Sequence, residues 1–309
     1  MKLLITGALG HIGSRLIHSI KPGEYTKVIL VDNLMTLRYC SLFNLPAGVP
    51  FQFVDADICS ADLEPLFKGV DVVVHLAAIT DAASSFDNAE RVEMVNYEGT
   101  ERVARACEAM GCKLIFLSTT SVYGTQENVV DENCSEAELN PQSPYAASKL
   151  KAERMLLRLS ETGKFKFVIC RFGTIFGTSI GMRFHTAINK FCWQAKMGQP
   201  ITVWKTALHQ KRPYLDLTDA IRAIEFIIQN DQFNNQVYNV LTVNSTVGEI
   251  ADIILAHVPD MKIEYVDARI MNQLSYEVSC RKFINLGFEF AGNLPDGIKE
   301  TISLIKGMR

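Results

Sequence analysis

A tyrosine and a lysine four residues apart, in Ser143-Pro-Tyr145-Ala-Ala-Ser-Lys149, form the pair in this sequence best suited to proton chemistry. Pro144 directly after Ser143 marks the first turn of a helix, and positions i and i+4 of a helix share a face. An ammonium held beside a phenol favours the phenolate. That would bring a group with a reference pKa of about 10 toward neutrality, where a general base works best. Taken alone, the same spacing is also what a solvated pair on an ordinary helix gives.

A second set of residues is suited to holding a phosphate-bearing ligand. The short apolar run 2–6 leads into Gly7-Ala-Leu-Gly10-His-Ile-Gly13, and a helical stretch at 14–20 then stops at Pro22-Gly23. Residues 27–31 read as another strand, closed by Asp32, which lies 19 residues beyond Gly13. Strand, glycine turn, helix, strand and acid make a dinucleotide-binding unit. The glycines let the backbone approach a pyrophosphate, and the helix N-terminus supplies amide donors and a positive dipole. Asp32 would accept hydrogen bonds from the adenosine ribose, which favours NAD over NADP because a 2′-phosphate would meet a carboxylate.

These groups need a frame, and the chain supplies one in a repeating rhythm. Strands are expected at 51–57, 71–78, 113–117 and 165–172, with helices at 89–110 and 144–160. Repeated βα units imply a parallel sheet, right-handed crossovers and helices on both faces. The fold class expected is therefore α/β, a Rossmann-type doubly wound sheet with a smaller C-terminal α/β substrate-binding lobe. Ligands bind beyond the carboxyl ends of such strands, where the glycine turn, Thr119 and Arg171 should lie. After Gly177 the rhythm becomes irregular. Helices are expected at 182–197 and 218–229, strands at 201–204 and 236–240, and two more elements at 262–266 and 296–306. Thr246-Val-Gly-Glu249 reads as a capping box for a helix to His257. This divides the chain into 1–176, plus about 213–243 returning to it, as the NAD-binding domain, and 177–212 with 244–309 as the substrate lobe.

Composition excludes little else. The 309 residues are 48% hydrophobic and 21% charged with a net charge of −3, so no basic footprint of a nucleic-acid binder is present. No apolar run is long enough to span a bilayer, and the first residues read as a strand rather than a signal peptide. The eight cysteines form no C-x-x-C pair, which suits a reducing cytoplasm, and no metal cluster stands out among the six histidines.

Taken together, the motifs resemble the extended short-chain dehydrogenase/reductase family, in particular its NAD-dependent nucleotide-sugar epimerases and dehydratases. The resemblance spans roughly residues 1–240. It is carried by Thr6-Gly-x-x-Gly10-x-x-Gly13, Asp32, Asp57-Ile58, His75-Leu-Ala-Ala78, Asn96 with Gly99-Thr100, Ser118-Thr119 before Val122-Tyr-Gly124, and Tyr145-x-x-x-Lys149. Arg171-Phe-Gly-Thr-Ile-Phe-Gly177 and Arg212-Pro-Tyr-Leu-Asp-Leu-Thr-Asp219 follow in the family's order.

The resemblance implies that Tyr145 removes a proton from a sugar hydroxyl, usually at C4, with Thr119 sharing that proton. Lys149 would lower the phenol's pKa and hold the nicotinamide ribose. It further implies a frame for NAD made of Gly7, Gly10, His11, Ile12, Gly13, Asp32, Asn33, Asp57, Ile58, Leu76, Ala77, Ala78, Asn96, Ser118 and Phe172, with Tyr145 and Lys149. A nucleoside-diphosphate sugar would be met by Thr80, Thr119, Ser121, Tyr145, Thr174, Arg183, Asn189 and Arg212, the last gripping the diphosphate. By the same resemblance the protein would be a homodimer paired through a four-helix bundle of helices 89–110 and 144–160.

Departures from the family narrow the reaction. Its 4,6-dehydratases carry Asp-Glu after the catalytic Thr, where Thr120-Ser121 stand here. Its 3,5-epimerases carry a cysteine at the place of Ser121. The Asn often found where Thr174 stands is also missing. C4 chemistry remains, as a 4-epimerase or as a dehydrogenase or reductase with net redox change. A non-catalytic NAD(P) sensor is the reading of another class, and the presence of Tyr145, Lys149 and Thr119 speaks against it.

Overall fold

Apolar runs too short for helices become a parallel sheet whose two faces are both covered, as their unbroken hydrophobicity requires. The structure is a computed structural model that describes residues 1–305 apart from 125, 127–128, 162, 206–207 and 267–274. Strands β1 (Lys2–Thr6), β2 (Lys27–Asp32), β3 (Phe51–Asp55), β4 (Val72–His75), β5 (Lys113–Thr119) and β6 (Phe167–Phe172) come first along the chain. At Gly173, where a Cβ would meet the Pro213 carbonyl oxygen at 3.1 Å, the chain leaves this sheet. It then forms β7 (Thr174–Phe176), β8 (Ile201–Trp204) and β9 (Lys211–Asp216), and returns as β10 (Val237–Val240). β11 (Val243–Thr246) and β12 (Ile263–Val266) follow.

The main sheet has seven strands in the order β10-β6-β5-β4-β1-β2-β3. The order reverses between β1 and β4, which opens a crevice at the carboxyl ends of the strands. Alternate residues of each strand serve opposite cores. Leu3, Ile5, Val72, Val74 and Ile115 pack under the His11–Ser19 and Leu217–Gln229 helices. Leu4, Val73, Leu114 and Phe116 pack against the Gly99–Met110 and Pro144–Ser160 helices. A third core, including Phe176, Ile188, Phe191, Tyr214, Ile250 and Ile298, fills the C-terminal part. There β11, β9 and β7 form one small sheet, and β12 pairs with β8.

Two helices depart from expectation. The 89–110 stretch is helical throughout, but residues Met94–Glu98 form a π turn between Ala89–Glu93 and Gly99–Met110. The extra residue turns Asn96 inward, where it is fully buried. The helix expected from residue 182 begins only at Ala187 and runs to Lys196. Residues 178–186 are instead clamped over the glycine turn. The Gly181 N–H donates to Ser14 Oγ at 3.0 Å, and Arg38 Nη1 donates to the Gly181 carbonyl at 2.9 Å. The final helix is Leu294–Leu304, so residue 306 of the expected element lies outside the described residues. Among the described residues no helix is long and apolar enough to cross a membrane.

Candidate active site

The crevice holds a cavity of about 650 Å³ at the carboxyl ends of the strands. Its floor is the glycine turn. Gly7 has φ +66°, and a Cβ there would lie 2.6 Å from the Ala77 amide nitrogen. A Cβ at Gly13 would lie 2.5 Å from the Ala8 carbonyl oxygen. Gly10 is different. Its backbone is extended and only the Gly7 oxygen, at 3.2 Å, would approach an added Cβ, so the room it leaves belongs to the cavity. Asp32 holds the turn in place by accepting from Leu9 N–H at 3.0 Å and Leu34 N–H at 2.9 Å. Asn33 donates to Asp57 at 3.0 Å and Cys59 N–H donates to it at 2.8 Å. Against the burial that raises its pKa, these bonds hold Asp57 below the usual carboxylate range.

At the centre of the cavity stand the proton-handling groups. β5 ends in Ser118 and Thr119, and the Thr119 hydroxyl accepts from Ser121 N–H at 3.2 Å, capping the turn that follows. Thr119 and the Tyr145 phenol line the same cavity, near enough for the threonine hydroxyl to draw the phenol's pKa down. Ser143 Oγ caps the helix that carries Tyr145 and Lys149, accepting from Ala146 N–H at 3.2 Å, with Pro144 in its first turn. Lys149 is 3% exposed, its Nζ donates to the Leu117 carbonyl at 2.8 Å, and it lies over the Phe116 ring, 4.7 Å from the centroid.

The expected acidification of Tyr145 by Lys149 is not what the protein's own groups produce. Burial pushes the phenol up to about 12, and the groups pulling it back are Thr119 and Arg183. Burial also drives Lys149 down to about 7, with Glu153 opposing. An ammonium that has lost part of its charge cannot exert a full charge's field on its neighbour.

This depression has a measurable consequence. Between pH 7 and 10.5 the unfolded chain binds a proton at Lys149 that the folded protein does not, so this position's contribution to stability rises with pH across that window and its full cost is present below it. Lys149→Met should therefore stabilise the fold by an amount on the order of 3 kcal/mol more at pH 7 than at pH 9.5, while abolishing turnover. Urea denaturation at the two pH values checks this, and an equal effect at both would contradict a depressed Lys149.

Every residue expected to hold cofactor or substrate lines this one cavity except Asn96 and Asn189. Both asparagines are fully buried, and both are backbone clamps. Asn96 accepts from Ile79 N–H at 2.8 Å and donates to the Ile79 carbonyl at 2.9 Å and Ser148 Oγ at 3.2 Å. Asn189 accepts from Gly177 N–H at 3.3 Å and donates to the Gly177 carbonyl at 3.2 Å. With their polar atoms used in this way, each holds a backbone segment in shape instead of lining the cavity. Arg171 also turns away from the cavity, into a buried pair with Glu153.

Other cavity residues escaped the sequence reading. Arg38, Asp81, His185, Lys190 and Phe191 come from irregular loops or the shifted helix, and no spacing announces them. Tyr214 is the exception. It stands two residues beyond Arg212 on β9, so the strand's period of two puts both on one face.

The site can be tested for fit to a dinucleotide on its own features. Gly7 and Gly13 allow the close turn, Gly10 leaves room above it, and the N-terminus of the His11–Ser19 helix points there. His11 Nδ1 is engaged with Ser179 Oγ at 2.7 Å, whereas its Nε2 is buried and has no partner among the described residues. The residues fit NAD.

Residues 3–240 match the family model of the NAD dependent epimerase/dehydratase family. The chain belongs to that family. It is an enzyme of this NAD-dependent type. A UDP-glucose epimerase of Bacillus subtilis (strain 168), itself described as uncharacterized, is 31% identical over 249 residues, 78% of this chain and 76% of that protein. A trifunctional UDP-glucose 4,6-dehydratase/UDP-4-keto-6-deoxy-D-glucose 3,5-epimerase/UDP-4-keto-L-rhamnose-reductase of Arabidopsis thaliana is 30% identical over 320 residues. That match takes in 97% of this chain, which spans 46% of the plant protein's length. Among solved structures, the UDP-glucuronic acid 4-epimerase from Bacillus cereus in complex with UDP-glucuronic acid and NAD superposes with a TM-score of 0.87. It is 26% identical, and the match covers 99% of both chains.

Proposed function

We propose that the protein is a nucleotide-sugar 4-epimerase. The observation that carries this reading is the placement of Tyr145, Thr119 and Lys149 in the same cavity as the glycine turn and Arg212, with Thr120-Ser121 rather than two carboxylic acids after Thr119. The likeness to UDP-sugar epimerases over nearly the whole chain supports it.

In this mechanism Tyr145 accepts the proton of the sugar's C4 hydroxyl, and Thr119 hydrogen-bonds the oxygen as it becomes a carbonyl. NAD, held by the glycine turn, Asp32, Asp57 and Lys149, supplies the two-electron acceptor and donor when bound. Arg212 and Arg183 hold the substrate's diphosphate. Ser121, Thr80 and Thr174 line the space around the sugar. After the ring turns to present its other face to the nicotinamide site, Tyr145 returns the proton to the C4 oxygen. Thr120, 1% exposed and directed to the Phe172 carbonyl at 3.4 Å, leaves no acid at the position where a dehydratase needs one.

The test is incubation with NAD and a panel of nucleotide sugars. An inverted sugar without net absorbance change at the NADH band is the expected result. Stoichiometric NADH would replace the epimerase by a C4 dehydrogenase, and no turnover across the panel would remove the substrate assignment.

The domain division of 1–176 with about 213–243, against 177–212 with 244–309, is part of this proposal and is supported by the separate core around Ile188, Ile250 and Ile298, into which Phe176 and Tyr214 of the first part also pack. So are a cytoplasmic setting, supported by eight unpaired cysteines, and a homodimer. Met94 and Leu157, 42% and 38% exposed, lie on the helices that would pair; a monomeric mass in solution would refute the dimer.

A further inference from the structure

His75 ends β4 beside Thr6, its register partner at the end of β1, at the point where the strand order reverses. It is fully buried and does not line the cavity. Both ring nitrogens are nevertheless engaged. Nδ1 lies 2.7 Å from the Thr6 hydroxyl, and Nε2 lies 2.9 Å from the Thr100 hydroxyl.

Proton counting gives each bond its direction. Thr100 donates its one hydroxyl proton to the Asn96 carbonyl at 2.7 Å, so it can only accept from His75. The protonated ring nitrogen is therefore Nε2. Burial, helped by the charge of Lys149, holds the imidazole down to about 3, so it carries a single proton and Nδ1 accepts from Thr6. The Thr6 hydroxyl in turn accepts from Ala77 N–H at 3.4 Å. Beyond Asn96 the line continues: its side chain donates to Ser148 Oγ at 3.2 Å, and Ser148 donates to the Tyr145 carbonyl at 2.8 Å. A second contact runs alongside. The imidazole stacks on Phe116 with centroids 6.0 Å apart, and Lys149 Nζ lies over that same phenyl ring.

We propose that His75 is a positioning residue, whose imidazole locks the glycine turn to the helix of Tyr145 and Lys149, so that the groups holding the dinucleotide and the group moving the proton keep one fixed arrangement. This rests on Tyr145 as the proton acceptor. A misplacement of about 1 Å near reacting groups costs roughly 10²-fold in rate, so a rigid buried link between the two has a direct use.

The test is a double-mutant cycle, because spatial intermediacy alone does not show coupling. Thr6→Val and Ser148→Ala remove the two ends of the line. Each should lower kcat about 10-fold and leave KM for the nucleotide sugar within about twofold. The double variant should lose about as much as either single one, whereas independent local damage would multiply to about 100-fold. His75→Leu should match the double variant, and His75→Gln, which offers one amide donor and one carbonyl acceptor, should recover most of the loss. Multiplying losses would overturn the proposal, as would wild-type kcat in His75→Leu or a loss that His75→Gln leaves uncorrected. If His75→Leu does not fold, the cycle between Thr6 and Ser148 decides alone. If wild type turns over no nucleotide sugar, the substrate reading fails, and the same cycle is then read on NAD affinity by calorimetry. Equal losses in single and double variants support the link there, and multiplying losses overturn it.

Discussion

Tyr145→Phe should reduce turnover by about 10²–10⁴-fold, the range expected for loss of a general acid–base group, while leaving NAD affinity within about twofold. The ring and its packing remain, and Thr119 still accepts from Ser121 N–H at 3.2 Å. What disappears is the hydroxyl of a phenol that lines the cavity together with Thr119. In the protein alone burial holds that phenol up at about 12, so Tyr145 is a poor base until the cleft fills. The burial that raises its pKa also strengthens any charge placed beside it. Steady-state rates with a nucleotide sugar, and NAD titration by quenching of protein fluorescence, separate the two effects. A variant that turns over at the wild-type rate would mean that the pair Tyr145 and Lys149 carries no chemistry, as a sensor of NAD would require.

Removing Glu153 should cost the fold about 3–5 kcal/mol, as breaking one side of a buried ion pair does. Glu153 is 1% and Arg171 4% exposed, so neither charge has water to fall back on. Arg171 Nη2 donates to Glu153 at 2.7 Å and Nε reaches both carboxylate oxygens at 3.1 Å. Nη1 donates to the Tyr123 hydroxyl at 2.8 Å, which donates on to Asn239 at 2.8 Å. Glu153 also accepts from the Ser118 hydroxyl, one residue before Thr119. Against the burial that would lower it, Glu153 keeps the Arg171 guanidinium firmly charged. Glu153→Ala leaves that charge alone in the core. Glu153→Leu combined with Arg171→Met should recover most of the loss, because the penalty belongs to the unpaired ion rather than to the absence of the bridge. Chemical denaturation of the two variants decides it; a loss below about 1 kcal/mol for Glu153→Ala would show that water or another anion reaches Arg171.

Local rules account for what was legible before folding. Uninterrupted apolar runs of five or six residues demand a sheet covered on both sides, and the glycine turn with Asp32 demands a close backbone approach at its edge. The Tyr145/Lys149 spacing put two side chains on one helix face, and a strand-end threonine could be matched to them. Such features depend on a few consecutive residues, so the amino-acid order alone determined them. Direction and environment could not be read that way. Asn96 and Arg171 occur in the motifs that carry the resemblance and Asn189 was a candidate substrate contact, but a π turn, a buried carboxylate and a displaced helix start accompany their inward positions. Arg38, His185 and Tyr214 reach the cavity because distant segments meet there. Even the charge of Lys149 was decided by enclosure, since desolvation depends on everything packed around an ammonium and on nothing in its sequence neighbours.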